Sequence, residues 1–415
     1  MRQKWQLIIF GLIHILIFTI IFNSNLYVGE GNHGAALYFN YSTRVIALGQ
    51  LPYQDFAVEY PPLALIFFTV PRLITANPAT YANIFAIEIL LFNLLGLFLI
   101  SALARRLNLS LWKTLTIYTL ALLAIGPIIA RRYDLIPAIM VLLALYAFCQ
   151  GKHKTSWALL AVGVMTKLYP VILAPIFLLY HWRHRQNRQA IVGVATFVIT
   201  TVAIVVPCLL LSPDGFWNSI TYHAQRGLQC ESTYSSFLLL GQTLGLTSLE
   251  IEFSFGSYNL SSPLADILAR VSPLLILFSL VAVYWFFHKN QGGRAVVQQT
   301  LSPINQPDTA RIVNYSIIAI LAFMLTSKVL SPQFIIWLYP LIPLIAWRWR
   351  LISWLMFIMI GLMTYFIYPV AYGGIIEGDP IPLVIGMLVL RNLSLIILAF
   401  LLPYVDNQPQ PDLAR

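Results

Sequence analysis

Long, uncharged apolar runs recur from one end of this chain to the other. About 20 such residues cross a bilayer, and a chain made of them has little choice but to fold in one. Hydrophobic residues make up 59% of the 415 and charged residues only 10%, against about 25% charged in a soluble domain. The reading is an all-α polytopic membrane protein, a single domain over residues 1–415, with no soluble domain attached.

Runs near 5–23, 80–102, 113–130, 135–149, 189–211, 263–287, 311–329, 333–346, 351–370 and 381–403 read as spans, with a split pair within 156–181. That makes twelve, two of them short. The run from Leu7 to Phe22 resembles a signal peptide but lacks a small-x-small cleavage site, so it reads as a retained anchor. Residues 62–74 are apolar but short, with Pro at the ends, which predicts an interfacial or re-entrant helix. The 155–181 region starts and ends on basic flanks, so it crosses an even number of times. Its 27 residues are too few for two full spans. A broken pair meeting at Thr166-Lys167-Leu168-Tyr169-Pro170 fits, and such a break is tolerated where it is buried in protein or lines a cavity.

Charge sets the orientation. Segments at Met1–Lys4, Arg105–Lys113, Gln150–Lys154, Trp182–Arg188, His288–Arg311, Arg348–Arg350 and the 404–415 tail would share one side. They hold 16 of the 25 Lys/Arg but only 3 of the 15 Asp/Glu. Basic loops stay cytoplasmic, so both termini are expected inside a bacterial plasma membrane. A first extracytoplasmic loop (24–79) and a long one (212–262) follow. The +10 net charge is accounted for by this pattern and gives no reason to expect a nucleic-acid partner. Cys149, Cys208 and Cys230 do not make a disulfide framework; a Cys208–Cys230 pair stays open if both lie outside.

The unusual polar residues fall on the outer side of this topology. Asp55 and Glu59 sit four apart among Tyr53, Phe56, Tyr60, Pro61 and Pro62. A carboxylate held against such an apolar wall can act as a general base; a solvated loop acid, or a pair with Arg44, is the plainer alternative. Arg131-Arg132-Tyr133-Asp134 puts two cations on the unfavoured side. They either snorkel to headgroups or bind phosphate as forks. Lys167, in the helix break, either pairs with Asp134 or Glu88 or meets a phosphate. Lys328 and Gln333 flank Pro332, where a helix start attracts anions. Tyr222-His223-Ala224-Gln225-Arg226-Gly227, running on to Glu231-Ser232, adds a His and an Arg. Mid-span Glu88 and Arg391 are expected to be paired, with Arg391 a candidate to face a cavity. No residue spacing matches a zinc site, and neither metal nor other cofactor is expected.

Four patterns give the chain a relation. Pro-Tyr-x-Asp-Phe-x-Val-Glu-Tyr-Pro-Pro (52–62), Arg-Tyr-Asp-Leu-Ile-Pro (132–137), Thr-Lys-Leu-Tyr-Pro (166–170) and Val-Leu-Ser-Pro-Gln-Phe (329–334) resemble glycosyltransferase family 87 of the GT-C superfamily. Phe334 stands where Tyr is frequent. The resemblance implies a GT-C fold, an extracytoplasmic site and a polyprenyl-phosphate sugar donor, as in the family's mannosyltransferases. It also implies a lipid or glycan acceptor and a catalytic acid in the first outer loop. By position that acid is Asp55, with Glu59 second. Arg131, Arg132, Lys167 and Lys328 are then candidates for the donor phosphate. Tyr53, Tyr60, Asp134, Tyr169, His223, Arg226 and Gln333 are candidates for substrate contacts. The rival classes are a transporter or flippase for a lipid-linked sugar, and a non-catalytic membrane subunit.

Overall fold

The computed structural model describes residues 2–23, 33–289, 303–347, 349–377 and 381–402. Expectations for the middle of the 288–310 segment, for Arg348 and for the 404–415 tail lie outside the described residues. Of the described residues, 78% are helix and 4% strand, and the fold is that of an all-α polytopic membrane protein.

The first long apolar helix is α1 (Arg2–Asn23). Next come α2 (His33–Ile46) and α3 (Pro62–Ile74), which pack on each other and flank the segment holding the acidic pair. Pro78 opens α4 (Pro78–Arg106), and the Asn77 side chain accepts from Thr80 N. Capping at Asn77 satisfies one free N–H, while Pro at the first helical position gives up none that the helix needs. Helix α5 (Leu111–Ile125) stops at Gly126, whose φ of 67° suits only glycine comfortably. Two shorter apolar helices, α6 (Leu135–Cys149) and α7 (His153–Thr166), pack side by side.

Helix α7 ends where the sequence predicts a break. Lys167 is extended (φ −157°, ψ 139°), and a 3-10 turn, Tyr169–Leu173, leads into α8 (Ala174–Arg183). Pro170 in that turn has no N–H to continue a ladder. The later helices are α9 (Asn187–Leu211), α10 (Pro213–Gln225), α11 (Thr233–Thr243), α12 (Pro263–Lys289), α13 (Gln306–Thr326), α14 (Arg350–Tyr365) and α15 (Pro382–Leu401).

Among the described residues, seven helices are long and apolar enough to cross a membrane: α1, α4, α9, α12, α13, α14 with the turn that extends it to Val370, and α15. Four more apolar helices are shorter. The difference from twelve spans has local causes. Gly126-Pro127 cuts the 113–130 run to 15 helical residues. The 333–346 run breaks into three short turns of helix, two of them opened by Pro332 and Pro343.

The 212–262 segment is not an irregular loop. It folds as α10, α11 and a three-stranded antiparallel sheet of β1 (Leu228–Gln229), β2 (Glu250–Ser254) and β3 (Ser257–Ser261), in the order β1-β3-β2. Phe255 and Gly256 form the two-residue turn between β2 and β3, both at positive φ (51° and 68°), the geometry that matches hairpin twist.

Buried polar groups are tied to one another inside the bundle. Asn93 of α4 contacts His14 Nδ1 at 2.6 Å and accepts from Tyr118 at 2.8 Å and Tyr339 at 3.0 Å. Several basic segments meet at one end of the bundle. Arg106 donates to Gln150 Oε1 (3.4 Å) and to Ile304 O (2.5 Å), and His184 reaches Asp308 at 3.3 Å. The cavity described below is lined in part by the break itself, through Lys167, Leu168 and Tyr169. All three cysteines are free thiols, which removes the Cys208–Cys230 pair.

Candidate active site

The segment between α2 and α3 is held by its own backbone. Tyr53 N donates to Phe56 O (3.0 Å), Asp55 N to Leu51 O (2.9 Å), and Leu51 N to Asp55 Oδ2 (2.7 Å). Tyr53 is buried, at φ 69°, and its hydroxyl donates to Tyr60 O at 2.7 Å. This turn sends the two acids in different directions. Asp55 is exposed, and its carboxylate closes its own turn. Glu59 lines a cavity of about 1310 Å³.

Helix α10 presses on the same turn. A methyl group at Gly215 would lie 1.8 Å from Tyr53 O, so only glycine permits this approach. Gly215→Ala is therefore expected to shift the Glu59 loop and lower turnover by about 10²-fold, the usual cost of a misplacement near 1 Å. Steady-state rates of the purified variant, beside its melting temperature, check this.

Glu59 is held on two sides. The Tyr41 hydroxyl donates to its Oε2, and His223 Nε2 is 2.9 Å from its backbone oxygen. Burial first, then the Glu59 charge, pushes the Tyr41 phenol up, so it remains a donor. Burial pulls the His223 imidazole below its ordinary value. A neutral ring with the proton on Nε2 fits its bond to a carbonyl.

Five cations and three carboxylates line the cavity among the described residues: Arg132, Lys167, Arg226, Arg270 and Lys328, against Glu59, Glu231 and Asp266. Arg132 Nη2 donates to Tyr368 at 3.2 Å. Arg226 donates to Ser257 of the hairpin at 2.9 Å, and Lys328 to Ala224 O at 2.7 Å. Burial lowers the Arg226 guanidinium, and burial with the nearby Arg226 charge lowers Lys328. Cations crowded in this way gain from any anion placed among them.

Lys167 is shared between structure and cavity. Its Nζ lies 2.5 Å from Asp134 Oδ1, and that oxygen also accepts from Trp337 Nε1 at 2.7 Å. Asp134 is 1% exposed and Lys167 18%, so the acid is the buried anchor and the amine its cavity-facing end. Lys167 Nζ also sits over the rings of Tyr133 (4.7 Å), Trp337 (5.3 Å) and Phe334 (5.7 Å). Tyr169 stacks on Trp337 with centroids 4.1 Å apart.

Of the residues singled out by sequence, Glu59, Tyr60, Arg132, Lys167, Tyr169, His223, Arg226, Lys328 and Gln333 come together around the cavity. Four do not line it. Asp55 is exposed and closes its own turn, Tyr53 lies under the loop, Asp134 lies behind Lys167, and Arg131 is buried with its backbone oxygen against Gly34 of α2. Only one of the adjacent arginines lines the cavity: Arg131 closes a short helical turn (Ile128–Arg131) and Arg132 is extended (φ −121°, ψ 138°), so their side chains leave the backbone in different local geometries.

Three features were not assigned to the site from the sequence. Arg270 and Asp266 of α12 carry no local motif, yet one turn apart they share the helix face on the cavity. The hairpin contributes Phe253 through Tyr258 except Ser254. Glu231 has a signal in the sequence, since acids are scarce, but its partner Arg391 lies 160 residues away. Arg391 is paired, as expected of a mid-span charge, but behind Glu231 rather than on the cavity wall. Glu88 Oε2, in contrast, has no hydrogen-bond partner among the described residues.

Taken together, these features define a polytopic helical membrane protein with a mixed-charge cavity set in helix ends, an acid on a short rigid loop at its edge. Residues 58–304, more than half of the chain, match glycosyltransferase family 87. The chain belongs to that family and is a membrane glycosyltransferase. A comparison with curated proteins returns no match.

Proposed function

We propose that this protein transfers a sugar, mannose or another hexose or pentose, from a polyprenyl-phosphate donor to a hydroxyl of a lipid or glycan acceptor, on the extracytoplasmic face. The observation that carries the reading is the placement of Glu59 on the wall of a cavity supplied with five cations. A sugar phosphate ester needs both parts: a base for the incoming hydroxyl and positive charge for the departing phosphate.

The reaction is a single displacement with inversion. The acceptor oxygen attacks the anomeric carbon and its proton passes to a carboxylate. Glu59 takes that role here in place of Asp55, because Glu59 lines the cavity and Asp55 does not. The bond between the anomeric carbon and the phosphate oxygen breaks on the opposite face, and the electron pair stays with the phosphate. Arg132, Lys167, Arg226 and Lys328 stabilise that charge as it develops. A phosphate leaves without a general acid, so a second catalytic carboxylate is not needed.

The test is to incubate purified protein with polyprenyl-phosphate mannose, glucose and arabinose and with candidate acceptor lipids, and to read the products by mass spectrometry. A new glycosidic product from one donor is expected. Movement of a lipid-linked sugar across liposomes with no bond formed would overturn the assignment.

A further inference from the structure

Glu231 is a second carboxylate on the cavity wall, and the transfer step does not use it. It lies between β1 and α11, outside the spanning helices, and is fully buried as a residue while still lining the cavity. Its position is fixed from two sides. Arg391 Nη2 of α15 donates to Glu231 O at 2.7 Å, and Arg391 Nη1 stands 3.8 Å from its Oε1. Gln229 Nε2 reaches Oε2 at 3.3 Å. The Gln229 amide is oriented for this, since its Oε1 accepts from Leu330 N at 2.9 Å and Ser331 Oγ at 3.2 Å.

Oε1 is the less satisfied of the two oxygens. It is buried, its ion pair with Arg391 spans 3.8 Å, and it accepts no hydrogen bond among the described residues. An unsatisfied buried carboxylate oxygen is costly, and a rigid scaffold from two distant parts of the chain holds this one in place. An ionised carboxylate only accepts hydrogen bonds. Phosphate oxygens also only accept, so Glu231 repels a phosphate. A polyprenyl chain has no donor to offer. What suits Glu231 is a group rich in O–H, set beside the cations that hold a phosphate. Arg132 and Lys167 line the same cavity as Glu231, so this carboxylate shares its space with the proposed phosphate site.

We infer that Glu231 accepts a hydrogen bond from a hydroxyl of the donor's sugar, so that it selects the sugar and fixes its orientation over the phosphate cations. This rests on the proposed polyprenyl-phosphate donor. Glu231 is a positioning residue in that complex, distinct from the base.

Charge sign gives the assignment a test that a structural role does not mimic. The experiment measures equilibrium binding of two probes to the purified full chain in detergent: farnesyl phosphate mannose and farnesyl phosphate without sugar. Glu231→Gln removes a negative charge. It is expected to weaken the sugar-bearing probe by about 10- to 100-fold, the range for hydrogen bonds to charged groups. Binding of the sugarless phosphate is expected to stay equal or tighten. Binding of 2-, 3-, 4- and 6-deoxy mannosyl probes then identifies the hydroxyl: the wild type discriminates against one of them, and E231Q does not.

Equal weakening of both probes, or an unchanged deoxy profile, overturns the inference. Wild-type protein that binds neither parent probe overturns the donor reading instead, a separate result. Because E231Q leaves Arg391 without its acid, Glu231→Asp serves as the second variant. It keeps the charge pair but retracts the oxygen by one methylene, and it is expected to lose the sugar-bearing probe selectively as well.

A pH series gives an independent readout. Burial, opposed by the Arg391 and Arg132 charges, raises the Glu231 carboxyl to about 7. Cys230, Arg391, Arg132 and Tyr372 are the titratable or charged groups that act with it. The carboxylate is the stronger acceptor, so affinity for the sugar-bearing probe is expected to rise as pH increases through about 7. E231Q is expected to lack that rise, and a rise retained in E231Q counts against the inference.

Discussion

Glu59→Gln is expected to lower the rate of sugar transfer by about 10²- to 10⁴-fold, the contribution of a positioned general base. The amide keeps an acceptor for the Tyr41 hydroxyl, so the loop and the fold are expected to survive. Asp55→Asn is the control. Asn keeps the oxygen that accepts from Leu51 N, and an exposed substitution of this kind usually changes stability by no more than about 0.5 kcal/mol, so transfer is expected to stay near the wild-type rate. Steady-state kinetics of both variants with the identified donor decide between the two acids. A dead D55N enzyme beside an active E59Q enzyme would return the base to Asp55.

Asp134→Ala is expected to destabilise the protein by about 3 kcal/mol or more, because removing one partner of a buried ion pair strands the other. Here the loss is larger than a single bond, since Asp134 Oδ1 serves both Lys167 Nζ and Trp337 Nε1. Thermal unfolding in detergent reads the effect. Lys167→Met in the same chain is expected to recover much of it, for a methionine leaves no charge to strand and packs on the Tyr133, Phe334 and Trp337 rings. Transfer is expected to stay low in the double variant, since Lys167 also lines the cavity. Recovered stability without recovered activity separates the two roles of this amine. Full activity in the stable double variant would remove Lys167 from the phosphate site.

Much of this site is legible in the sequence because cations and acids are rare in a chain this apolar. Arg132, Lys167, Arg226 and Lys328 stand out one by one, each in a locally recognisable motif, and all four line one cavity. The break at Lys167 is legible for the same kind of reason: too few residues between two basic flanks, with Pro170 inside. The fate of neighbouring residues is not legible. Asp55 and Glu59 differ by one helical turn in sequence spacing, yet the backbone bonds at Tyr53 and Leu51 turn one acid out and the other in. Arg131 and Arg132 are equivalent as letters, but the first is buried off the cavity and the second lines it, with its side chain beside Gly34.

By itself the sequence determined the environment and the cast. Its hydropathy requires a membrane, its basic loops group together, and its few charges nominate a site. Those are properties of composition and local spacing, which survive without knowledge of which helices touch. Tertiary structure decided which nominees face the same space. It brought Arg391 behind Glu231 across 160 residues, set Arg270 of α12 on the cavity wall, and folded the polar 212–262 segment into a sheet that closes one side. The physical reason is that a charge in an apolar bundle takes whichever partner packing delivers, and packing depends on contacts between residues far apart in the chain.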